Sequence, residues 1–460
     1  MKKNNLKFLL VHPEISRTKY NFMGVIENEP LELEYISAML KDRGHEVIIF
    51  DKQIDNKKMT DKVKEVNPDV VYVCGRTRQE NFMKEYCQNA KDFNKNIITI
   101  VGGIHVQHCY KRMYEKSIDY ILISFDIFKI LDIISYEFDG QKTNLDNISG
   151  ICYKKNNQWI KNDAIPFDIK KLPRPDREYF YQHKDRYMYL ELLPCAHVRT
   201  SYSCPYSCSF CYRNSLNCGK YVERDIEDVV NEIDSIKCNN IYIIDDDFLF
   251  DRNRILKFIE LIKKDNIQKK YVCYGRADFI VNNQDIIEGL KEIGFYYILT
   301  GLEAIDDKYL SKYNKKISLD VNIESIRILN KIGINIMGMF VLDLDFTYKD
   351  FRALYKWIKK HKLKHVAISI FTPELESETY QTYKDRIITD NPEHWDYLHL
   401  VAEPSNISVK RFYFYYYTLL IKLFLKGQRE NVYDFIDYGD YIKSFIKNIF
   451  SIQKGTKKNA

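Results

Sequence analysis

The chain has 460 residues, 45% of them hydrophobic and 29% charged, and a net charge of +6 at pH 7. That composition is globular, allows two or three domains, and is too weakly basic to call for nucleic acid, so no nucleic-acid partner is expected. No run reaches the roughly 20 apolar residues of a membrane span, and the 11 cysteines, without a secretory-type N-terminus, exclude a disulfide scaffold and point to a reducing cytoplasm.

Residues 1–145 alternate short apolar runs with helical periods. Strands are expected over 7–11, 47–50, 69–73, 97–101 and 119–123. Leu33, Ile36 and Leu40 mark the first helix, ended by Gly44 at the C′ position, and Ile127, Ile130, Leu131 and Ile134 mark a closing one. Such β/α alternation predicts a flavodoxin-like, doubly wound parallel sheet, which binds ligands beyond the carboxyl ends of its strands. That edge holds His12, Asp51, Gly75-Arg76-Thr77 and Gly102-Gly103-Ile104-His105. Residues 146–190, with Leu172-Pro-Arg-Pro175, have no period and are expected to be a connector.

A second β/α series follows over 191–378. Strands are expected at 198–203, 241–244, 271–274, 296–300, 334–341 and 365–371, with a helix capped by Asp225 after the first. Six units make a partial (β/α)6 barrel, whose catalytic groups belong at the carboxyl ends of the strands. Those ends carry Ser203-Cys-Pro-Tyr-Ser-Cys-Ser-Phe-Cys-Tyr212, Asp245-Asp-Asp-Phe248, Gly275-Arg276, Gly301-Leu-Glu303 and Thr372-Pro373. Residues 379–460 predict a helical cap. Its aromatic stretch Phe412–Ile421 suits a buried helix, or alternatively an interfacial one that meets a lipid substrate.

Cys204, Cys208 and Cys211 are spaced CxxxCxxC. A 4Fe–4S cluster takes four cysteines; three leave one iron open for a small molecule. A zinc site completed by Cys218 is the alternative, which would make the chain a non-catalytic zinc or iron–sulfur protein. The spacing, with Phe210 and Tyr212 flanking the third cysteine, resembles the radical S-adenosylmethionine (SAM) superfamily. The domain order is similar to its class with an N-terminal cobalamin-binding domain, as are Pro30–Val47, Val101–His105, Asp245–Arg254, Gly275–Asp278, Gly301–Glu303 and Phe371–Glu374.

The resemblance implies a 4Fe–4S cluster on the three cysteines, SAM on the open iron, and cobalamin in the first domain. It implies one electron from a flavodoxin- or ferredoxin-type reductant, an anaerobic setting, and radical attack on an unactivated carbon of a small metabolite, ending in methylation or rearrangement. It places Phe210 near the adenine, Asp246, Arg276 and Glu303 on SAM, and Met337 and Gly338 beside the adenosine. Gly75, Gly102 and Gly103 would let backbone approach the cobalamin tail. The plainer alternatives are salt bridges for Arg276 and Glu303, a buried strand for Met337-Gly338-Met339, and a solvated turn for the aspartates. Two departures stand out: Ser124-Phe-Asp126 replaces the usual glycine-containing turn, and no DxHxxG motif marks a histidine ligand for cobalt. A cobalamin-free radical enzyme that performs elimination, epimerisation or ring formation is the alternative they leave. A second cluster, as in the methylthiotransferase branch, is not expected, because Cys74, Cys87 and Cys109 lie on separate elements.

Overall fold

A computed structural model describes residues 5–15, 26–139, 144–432 and 434–435. The N-terminal sheet has seven strands, ordered Glu46–Asp51, Lys7–His12, Val70–Cys74, Ile98–Gly102, Tyr120–Leu122, Ile151–Lys155 and Gln158–Lys161. The first five are parallel, as their apolar runs require of strands covered on both faces. The last two form an antiparallel hairpin that extends the sheet within the stretch expected to be a connector. Alternation there is confined to four- and five-residue strands around Asn156-Asn157, too short to stand out as a period. The strand order reverses between Lys7–His12 and Val70–Cys74, and a crevice opens at such a switch point. Helix Leu31–Asp42 packs Leu31, Leu33, Ile36 and Leu40 on this sheet, and Gly44 follows it at φ +81.

Six parallel strands form the second sheet in chain order: Cys195–Val198, Asn240–Ile243, Lys270–Tyr274, Phe295–Glu303, Asn335–Leu342 and His365–Ile370. Five of the six lie within a few residues of expectation. The first is displaced: the run taken as one strand over 198–203 breaks at Arg199-Thr200, and Ser201–Tyr202 pairs instead with Val222–Glu223. The break is made by Asp245, which accepts from the Thr200 amide at 2.6 Å and the Ser201 amide at 3.0 Å. Asp225 sits at the start of helix Ile226–Ser235, but its carboxylate pairs with Lys170 at 2.7 Å and makes no cap bond.

The core lies between the second sheet and its outer helices, where Ile241, Ile243, Ile255, Phe258, Ile287, Leu290, Ile298 and Leu329 are buried. Inside the strand cylinder a separate aromatic cluster of Tyr189, Tyr242 and Tyr297 packs with Met337 and Met339. Helix Val409–Arg429 buries Phe412, Tyr416 and Leu419, with Phe412 edge-on to Phe351 at 5.2 Å on the outer helix Tyr348–Lys360. Its opposite face exposes Phe414, Ile421 and Leu425, so the helix is buried on one side only. Between it and helix Glu378–Tyr383 the chain is mostly irregular, and this segment touches the first domain where Asn81 donates to Glu393 at 2.8 Å. Residues beyond 435 of the expected cap lie outside the described residues.

Candidate active site

A buried ion cluster and a half-exposed ion pair join the domains. Arg177 donates to Glu29 at 2.6 Å, to Glu232 at 2.8 Å and to the His197 carbonyl at 2.7 Å. Arg199, in the strand break, reaches Glu32 on the first helix at 3.1 Å. A buried guanidinium holds its position only with such partners. The carboxyl ends of the two sheets are thereby held against one another.

The cysteine loop leaves the end of the first barrel strand through Ser203, whose φ is +69. Cys204, Cys208 and Cys211 are all half-buried, and the Cys211 amide donates to the Cys208 carbonyl at 3.2 Å. Burial pushes the Cys204 thiol up to about 11 and Cys211 up to about 12. A cation must therefore displace their protons, as iron does on ligation. Among the described residues no three His, Cys, Asp or Glu side chains converge as ligands of one ion would. Cys218 is exposed beside Lys161 and Asp163 of the N-terminal hairpin.

The aspartate triplet divides into three environments. Asp245 is saturated by Thr200 and Ser201. Asp246, expected on SAM, pairs with Arg213 at 2.6 Å. Asp247 is 3% exposed, and neither carboxylate oxygen has a hydrogen-bond partner. Burial pushes it up to about 8, against the pull of Arg276 and Lys315. A buried carboxylate with few donors is costly; the Leu249 amide lies near Asp247 but outside hydrogen-bond geometry, so Asp247 is the member of the triplet with the least satisfied oxygens. Only packing separates the three identical residues, so nothing in the sequence could have singled it out.

Arg276 lies against the cysteine loop. Its guanidinium stacks on Tyr206 at 3.8 Å, stands 4.0 Å from Cys208 Sγ and holds Asp278 at 3.0 and 3.1 Å. Glu303 ends the fourth barrel strand in a register shift with φ +58, folds back over Gly301 and pairs with buried Lys315 at 2.9 Å. Both residues stand at the expected end of the barrel, each already in an ion pair. Phe210 meets Tyr313 edge-on at 5.2 Å. Met337 faces the inner cluster, whereas a Cβ on Gly338 would meet Leu363 at 2.5 Å and Leu302 at 2.9 Å. Gly338 therefore turns to the packing side of its strand, not to the lumen.

In the first domain, the three glycines are required by the protein's own packing. A Cβ on Gly75 would lie 2.7 Å from Met83 Sδ, one on Gly102 would overlap the Tyr72 hydroxyl, and Gly103, at φ +100, lies over the Gly75 carbonyl. They bring the ends of two strands together without themselves forming an open cradle. Phe125, the bulky residue of the Ser124-Phe-Asp126 turn, stacks on Tyr202 at 4.0 Å and so is drawn into the domain contact. His12 ends the first strand with Asp51 at 3.2 Å and Gln53 at 2.8 Å, and His105 bonds Glu80 at 2.9 Å. Across the crevice, Tyr397 at φ +63 is 40% exposed and donates to Glu374, which burial pushes up to about 7. Sequence reasoning missed this pair, because Tyr397 lies in the irregular segment.

The Radical SAM superfamily model matches residues 198–358, and the B12 binding domain model matches residues 26–125. The chain is 24% identical over 418 residues to the hopanoid C-3 methylase of Methylococcus capsulatus, covering 89% of this chain and 78% of that protein. It is 22% identical over 448 residues to a bacteriochlorophyllide d C-12(1)-methyltransferase of Chlorobaculum tepidum, covering 93% and 88%. Its fold resembles the cobalamin-dependent S-adenosylmethionine radical enzyme OxsB, solved with aqua-cobalamin and S-adenosylmethionine bound, at a TM-score of 0.70 and 16% identity. That match covers 87% of this chain but 64% of the solved one.

Proposed function

We propose that this chain, which belongs to the radical SAM superfamily and carries an N-terminal B12-binding domain, is a cobalamin-dependent methyltransferase that modifies an unactivated carbon of a small molecule. When bound, the cluster supplies the electron that cleaves SAM to a 5′-deoxyadenosyl radical, and cobalamin supplies a transferable methyl group. The residues present fit these groups: three thiols on one loop, one orphaned buried carboxylate beside it, and a crevice facing them from the first domain.

The single observation that carries the assignment is Asp247. Its unpartnered oxygens lie in reach of the field of Arg276, which itself abuts Cys208. Cys204, Cys208 and Cys211 would hold the cluster, and Asp247 would accept a hydrogen bond from the SAM amino group, leaving Arg276 to orient the loop through Tyr206. The ion pairs of Arg177 and Arg199 hold the two domains against one another. The methylase and methyltransferase names of the two relatives support methyl transfer over rearrangement.

Anaerobic protein loaded with iron, sulfide and hydroxocobalamin, then desalted, should retain cobalt and iron. On reduction it should convert SAM to 5′-deoxyadenosine. Iron retention and SAM cleavage with no cobalt retained would move the assignment to a cobalamin-free radical reaction, and absence of cleavage would remove the enzyme reading.

A further inference from the structure

The exposed side of the C-terminal helix is unused by the chemistry above. Phe414, Ile421 and Leu425 are 67%, 50% and 49% exposed and recur at seven- and four-residue steps, forming one apolar line. Exposed Lys410, Arg411, Lys422 and Arg429 flank it. Beside this line a groove of about 560 Å³ is lined by Arg352, Tyr355, Lys356, Lys359, Lys360 and Lys422, with no acid among them.

Residues 348–364 and 409–429 together hold twelve lysines and arginines against one acid, Asp350. That surplus of eleven exceeds the +6 of the whole chain, so everything else is net −5. Among the described residues only Lys426 of the twelve has a carboxylate partner, Glu430 at 2.6 Å. The cations thus stand unneutralised around an unburied apolar stripe.

We infer that this face seats the protein on an anionic lipid bilayer, with Phe414, Ile421 and Leu425 in the headgroup–acyl boundary and the lysines on the headgroups. A helix with an apolar line flanked by cations is the arrangement that lies in a membrane interface. No helix among the described residues is long and apolar enough to cross one. An acidic redox partner suits the site less well. Lys426 reaches the Leu363 carbonyl at 2.7 Å, at the amino end of the last barrel strand, whereas the cysteine loop leaves the carboxyl end of the first. A reductant on this face would stand across the barrel from the cluster loop.

The test is sedimentation of the full chain with phosphatidylcholine vesicles, with and without phosphatidylglycerol. The wild type should partition onto the anionic vesicles only and release in high salt. Replacing Arg352, Lys356, Lys359 and Lys360 by Gln should weaken binding by roughly fivefold per cation, the equivalent of ~1 kcal/mol each. Phe414→Ser with Ile421→Ser and Leu425→Ser should weaken it on the order of a hundredfold. All seven positions are exposed, so melting temperature should hold; should one variant fail to fold, the other and the salt release decide. Equal binding to neutral vesicles, wild-type binding by either variant, or no vesicle binding would overturn the inference. So would a groove that takes inorganic phosphate, or a face that retains an acidic flavodoxin, while ignoring vesicles.

Discussion

Asp247→Asn tests the proposed contact between this carboxyl group and SAM. The substitution keeps shape and removes the acid from a side chain that is 3% exposed and that burial pushes up to about 8, so it ionises only when a donor or cation arrives. A hydrogen bond to a charged group contributes roughly 1.5–3 kcal/mol, which is about 10- to 150-fold in the dissociation constant. The unliganded protein should not suffer, because the wild type carries an unsatisfied carboxylate there and the amide does not deepen that penalty. Equilibrium SAM binding to anaerobic, cluster-loaded protein measures the first quantity, and thermal melting of the SAM-free form the second. The expected result is weaker binding at an unchanged or higher melting temperature and unchanged iron content. Asp246→Asn is the contrast: it strands Arg213, its partner at 2.6 Å, so it should lower cluster loading more than intrinsic SAM affinity. SAM affinity within twofold of wild type in Asp247→Asn, with iron intact, would refute the assignment of the SAM amino group to this carboxylate.

Four further outcomes follow from the same geometry. Cys204→Ala, Cys208→Ala and Cys211→Ala should each lose the cluster by iron analysis and visible absorbance, whereas Cys218→Ala, altering an exposed thiol beside Lys161, should keep it. Lys315→Met should destabilise the chain by about 3–5 kcal/mol in denaturant unfolding, because it leaves buried Glu303 without its 2.9 Å partner; the double variant with Glu303→Gln should recover part of that loss. Gly103→Ala should cost roughly 1–3 kcal/mol of stability, because φ is +100 and the new Cβ would lie 2.7 Å from the Gly75 carbonyl; iron content should not change, since the cluster loop belongs to the other domain. Burial raises Glu29 from 4.5 to about 7 in the folded protein. Its contribution is therefore complete below pH 4.5 and lost as pH rises toward 7. Glu29→Gln should flatten the fall in melting temperature across that window, and an unchanged pH profile would refute it.

The cysteine spacing and both β/α series were legible because each is a local pattern. Ligand spacing is set within eight residues, a buried parallel strand needs only a short apolar run, and a helix shows its period within three turns. The hairpin at 151–161 was not legible, because its strands are short and their edge position depends on a sheet built elsewhere. The break at Arg199-Thr200 was hidden for a related reason: the carboxylate that causes it, Asp245, is 45 residues away.

The sequence alone determined which groups stand at the strand ends: three thiols, a triplet of aspartates, an arginine and a glutamate, with a crevice-forming domain ahead of them. Only the tertiary structure decided how they are divided. It saturates Asp245, neutralises Asp246 with Arg213 and leaves Asp247 bare; it closes Glu303 onto Lys315; it turns Gly338 away from the lumen. The physical reason is that a residue's chemistry is carried by its own atoms, whereas its charge state, partners and exposure depend on neighbours that only folding brings within a few ångströms.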